Sequence, residues 1–87
     1  STLNAFSIMS INPARACLDA GYTDQARQLL EFAVSCHVDN SSIYTQLAAI
    51  YQTGGNLSGI LQLQKAAAQL APFPQKIILE KLKSFQP

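Results

Sequence analysis

Apolar residues along this chain recur every three or four positions, the spacing of helix faces rather than the alternation of strands. Ala26, Leu29, Leu30, Ala33 and Val34 make one such face. Ile78, Leu82 and Phe85 make another, at spacings of four and three. Capping and breaking residues punctuate these stretches. Asn12 predicts an N-cap with Pro13 at the first helical position, where a missing N–H costs nothing. That gives a short helix over residues 13–20 and leaves residues 3–9 as a separate turn or short helix. A turn follows at Gly21, and Thr23 or Asp24 opens a second helix. Asn40 and Ser41 cap a third, which ends at Gly54 and Gly55. Asn56 or Ser58 caps a fourth, ended by Pro72 and Pro74. Pro74 is expected to open a last helix, and Phe73 to pack on the fourth. The expected fold class is all-α.

Laying the sequence over itself with Ala14 on Ala48 also brings Gly21 onto Gly55, Ala26 onto Ile60 and Ala33 onto Ala67. Leu29 falls on Leu63 and Cys17 on Tyr51. A 34-residue period with small residues at these places resembles the tetratricopeptide repeat. The second copy carries the resemblance best. Tyr44, Leu47, Ala48 and Tyr51 fill the large-aromatic, Leu, small and Tyr places of the family's first helix. Gly55, Ala67 and Pro72 fill its turn, late-Ala and closing-Pro places. Ile60 departs from the family's Ala and should push the two helices slightly apart. In the first copy Ala14, Gly21, Ala26, Leu30 and Ala33 fit, but Ser10 and Pro13 replace the large aromatic and the Leu. Ile78, Leu82 and Phe85 fall one period after Tyr44, Ala48 and Tyr51, so the last helix reads as half of a third repeat, covering the open end of the stack.

The resemblance implies antiparallel helix-hairpin repeats stacked as an α-solenoid, a single domain over residues 1–87. Repeat one spans about 7–40, repeat two about 41–74, and a C-terminal capping helix about 74–86. In such folds the first helix of each repeat lines a concave groove. Carried over, that lining is Ile8, Ile11, Arg15 and Leu18; then Ser42, Thr45, Ala49 and Gln52; then Lys76, Leu79 and Lys83. It is apolar with a few basic rims. It lacks the Lys and Asn pattern with which some family members clamp a peptide carboxylate. The competing reading makes Ile11, Leu18 and Leu79 plain core in a groove too short to bind alone.

Composition changes the picture in one respect. Hydrophobic residues make up an ordinary 48%, but charged residues only 13%, against roughly 25% in an average soluble domain. Some apolar surface must therefore stay outside a thin core, and such a patch usually marks a partner site. Net charge is +1, with no basic block to neutralise phosphates, so nucleic acid is not an expected partner. No apolar run approaches the roughly 18 residues of a membrane span, and residues 3–11 lack the basic lead of a signal peptide.

Candidate chemistry is sparse. His37 has only Cys36 and Asp39 near it in sequence, short of the convergent ligands a metal needs. It is expected to sit favourably at a helix C-terminus. Cys17 and Cys36 are separated by about 15 Å along an antiparallel hairpin at 1.5 Å per residue, too far for a disulfide. Both are expected to be reduced, half-buried packing residues. Asp19, Asp24, Glu31, Asp39 and Glu80 read as solvated helix-end charges. Gly54-Gly55 is followed by no Lys-Ser or Lys-Thr and is a helix cap, not a phosphate loop. Neither an enzyme nor a cofactor is expected.

The expected function is protein binding in the cytoplasm. Small, charge-poor chains of two to three such repeats are similar to the needle-subunit chaperones of bacterial type III secretion. That resemblance implies an aggregation-prone amphipathic helix as partner, with a small co-chaperone as a second partner beside it. The alternatives are a scaffold or assembly domain of a larger repeat protein and, against the shortage of basic residues, an RNA-binding helical repeat.

Overall fold

The computed structural model describes residues 14–85, and all regular structure among them is helical. Residues 14–19 belong to α1. Four further helices follow: α2 (Thr23–Ser35), α3 (Ser41–Thr53), α4 (Leu57–Ala67) and α5 (Pro72–Leu82), the last running into a 3₁₀ turn at Lys83–Phe85. Their starts follow from capping. Asn40 Oδ1 accepts from the N–H of Ser42 at 2.8 Å, and Asn56 Oδ1 from that of Gly59 at 2.9 Å. Ser41 and Ser58 lie inside their helices. The cap of α2 is Tyr22, whose side chain makes no capping bond, so that helix starts without the acceptor that α3 and α4 have.

Three helix ends share one closure. After α1, Gly21 N–H donates to Leu18 O and Tyr22 N–H to Cys17 O. After α3, Gly55 N–H donates to Gln52 O and Asn56 N–H to Tyr51 O. After α2, His37 N–H donates to Val34 O and Val38 N–H to Ala33 O. Each closure turns on one residue in the left-handed region, with φ of 87° at Gly21, 71° at Gly55 and 61° at His37. The α1 and α3 closures lie one period apart and match bond for bond.

The α4–α5 corner differs from expectation. α4 stops at Ala67, before the prolines, and α5 begins at Pro72 rather than Pro74. Both prolines fit the first turn of α5, where no N–H has an intrahelical partner. Gln75 Nε2 donates to Ala68 O at 2.7 Å, so α5 satisfies a carbonyl that the end of α4 leaves open. Phe73 lies within α5 and is 77% exposed; it does not pack on α4.

α3 is the hub. It packs against α2, α4 and α5, and α4 packs against α5. Accordingly α3 buries Ile43, Tyr44, Leu47, Ala48 and Tyr51. Burial is shared by several pairs one period apart: Ala14 and Ala48, Ala26 and Ile60, Ala33 and Ala67, Tyr44 and Ile78, Ala48 and Leu82. The pair Leu29 and Leu63 breaks this pattern, because Leu30 takes the inward place in α2 and leaves Leu29 exposed. Gly59 sets the closeness of α4 to α3: a Cβ there would sit 2.7 Å from Tyr51 Cδ2. Cys17 and Cys36 are half-buried, free and packed against the core.

Candidate functional site

A cleft of about 630 Å³ opens where α1, α2 and α3 meet. Leu18 of α1 and Ala49 and Ile50 of α3 give it apolar walls, and Arg15, Asp24 and Arg27 give it charge. The spacing of α3 explains part of this. Gln46, Ala49, Ile50 and Thr53 share one side of the helix at steps of three and four, beside the buried stripe of Tyr44, Leu47, Ala48 and Tyr51.

One polar chain holds the cleft wall together. Tyr51 donates its hydroxyl to Glu31 Oε2, linking α3 to α2. Glu31 Oε1 accepts from Arg27 Nη1 at 2.8 Å, and Arg27 also lies 3.9 Å from Asp24. Burial pushes the Tyr51 hydroxyl well above the usual tyrosine range. The hydrogen bond to Glu31 and its negative charge push the same way, and Arg27 opposes them. Glu31 is therefore not a solvated helix-end charge: it is half-buried and carries a bond between two helices. Asp19, Asp24, Asp39 and Glu80 are exposed. Gln46 also lines the cleft, and its Oε1 is buried without a hydrogen-bond partner among the described residues.

The residues expected to line a groove divide into two groups. Arg15, Leu18 and Ala49 meet at the cleft. Thr45, Gln52, Lys76, Leu79 and Lys83 do not border it, and Ile8 and Ile11 lie outside the described residues. Leu18 and Leu79 are half-buried against the core. Thr45 commits its hydroxyl to Ser42 O at 3.2 Å, within its own helix. Arg15 pairs with Asp19 at 3.7 Å and Lys83 with Glu80 at 3.0 Å, both exposed contacts of little energetic weight.

Thr23, Asp24, Arg27, Gln46 and Ile50 are cleft residues that the repeat pattern did not single out. The spacing of Asp24, Arg27 and Glu31, three and four residues apart on one helix, was the available signal for part of the set. Among the described residues no three of His, Cys, Asp and Glu converge as a metal site. No described helix is long and apolar enough to cross a membrane. No protein-family model matches the sequence, and neither a curated protein nor a solved structure matches it.

Proposed function

We propose that the chain is a non-enzymatic protein-binding module of the tetratricopeptide type, acting in the cytoplasm to hold an amphipathic helix of another protein. The observation that carries this reading is the cleft at the α1–α3 junction, where Arg15, Leu18 and Ala49 come together beside Ile50. Its volume of about 630 Å³ suits a few side chains of a docked segment rather than a whole helix. The partner therefore inserts one apolar ridge there and lies along the exposed face of α3 that carries Ala49 and Gln52. The residues buried in pairs one period apart, such as Ala14 and Ala48, Ala26 and Ile60, and Ala33 and Ala67, support the repeat reading. The low charge content supports a surface meant to be covered. A chaperone that shields an aggregation-prone helix, of the kind serving secretion needles, fits this chemistry best.

Affinity capture from the native cell, followed by reconstitution with the purified partner, tests the proposal. The expected result is a stoichiometric complex whose helical circular dichroism exceeds the sum of its parts. A partner that binds with no gain in helix would overturn the helix-holding role.

A further inference from the structure

The first turns of α5 carry a second surface that the cleft does not use. Phe73 is 77% exposed and Ile77 39% exposed, one helical turn apart on the same face. They border a hollow of about 280 Å³ completed by Asp39, Ser41, Pro74 and Ile78. Asp39 has no ion pair among the described residues, whereas the other four carboxylates each have one. Lys81, the next residue of the α5 stripe after Ile77, donates to Ser41 Oγ at 3.2 Å and has no carboxylate partner among the described residues. The face with this apolar pair thus also carries an anion, Asp39, and a cation, Lys81, that have no ion pair among the described residues.

We propose that this face binds a second copy of the chain, α5 against α5 in antiparallel fashion about a twofold axis at Ile77. The register selects this occupant. With Ile77 opposite its own counterpart, Phe73 of each copy falls opposite Lys81 of the other, four residues either side of the axis. The aromatic ring covers the lysine stem, and the lysine head comes within reach of Asp39 across the contact. A purely basic partner would leave Lys81 facing like charge, and a purely acidic one would leave Asp39 so. A self-complementary surface satisfies both at once, as a twofold contact requires. The hollow, which Phe73 and Asp39 border, receives the Lys81 side chain of the second copy, and a net charge of +1 opposes the approach of two copies very little. The patch is small, so the dimer is weak.

Sedimentation equilibrium of the whole chain, from low-micromolar to near-millimolar concentration, tests this. The weight-average mass should rise from 9.4 kDa toward twice that value. Phe73→Asp should weaken association at least about tenfold, as loss of a central aromatic anchor does. Asp39→Lys should weaken it too, and the double variant Asp39→Lys with Lys81→Asp should restore it. All these positions are exposed, and circular dichroism checks that each variant folds. A chain that stays monomeric throughout, or a Phe73→Asp variant that associates like the parent, overturns the proposal. So does association lost in Ala49→Arg but kept in Phe73→Asp, which would put the contact in the cleft.

Discussion

His37 and Gly55 occupy equivalent positions after their helices with opposite chemistry. Both have positive φ, but only glycine adopts that backbone without a steric cost of about 1 kcal/mol. His37 is exposed, so removing its side chain sacrifices little. His37→Gly should therefore stabilise the fold by about 1 kcal/mol, and Gly55→Ala should destabilise it by a similar amount, read by urea denaturation. Space is not the issue at Gly55, where an added Cβ would meet nothing within 4 Å; the backbone angle alone decides. Tyr51 gives a second prediction at this scale. Its unfolded pKa of 10.0 is raised on folding, chiefly by burial, as is that of the buried Tyr44, where the charge of Asp39 adds to burial. The folded chain thus holds protons that the unfolded chain releases above pH 10. Stability from this source is complete below pH 10 and falls as pH rises beyond it. Tyr51→Phe should lower stability at neutral pH and flatten part of the alkaline decline in melting temperature. A decline of unchanged steepness would remove Tyr51 as its source.

At the scale of elements, caps and turns were legible because their chemistry is local. Asn40, Asn56, Gly21 and Gly55 each act within a few residues of themselves. The two prolines were legible as a boundary but not as a first turn, because a helix start tolerates proline at more than one position. The left-handed turn at His37 was less legible, since histidine adopts positive φ more often than most residues but far less readily than glycine. The repeat correspondence also yields an experiment. Tyr22 stands one period before Asn56, and their backbones are alike, with ψ of 67° and 78°. Tyr22→Asn should supply the missing cap of α2 and stabilise by about 0.5–1 kcal/mol, while Asn56→Ala should cost about 1 kcal/mol. No gain from Tyr22→Asn would mean that the two hairpins are not equivalent at this position.

For the molecule as a whole, helix content and most of the core followed from periodicity. Leu30, Ala33, Leu47, Ala48, Ile78 and Leu82 are buried where a repeated helix face puts them. The site was less legible because it depends on how helices meet. Arg15, Leu18 and Ala49 were expected to share a surface and do. Glu31 joins Tyr51 across 20 residues of sequence, which no local pattern encodes. Phe73 was expected to find cover and instead stands exposed, because α5 begins at Pro72 and carries the ring outward. If a helical partner docks in the cleft at the α1–α3 junction, a bulky charge on its α3 wall must obstruct it. The decisive experiment is titration of the captured partner against Ala49→Arg, with Phe73→Asp and the parent chain as references. Ala49 is exposed and arginine is a good helix former, so the fold should survive. Docking in the cleft requires Ala49→Arg to weaken binding at least about tenfold while Phe73→Asp binds like the parent; equal affinity for all three would place the partner elsewhere.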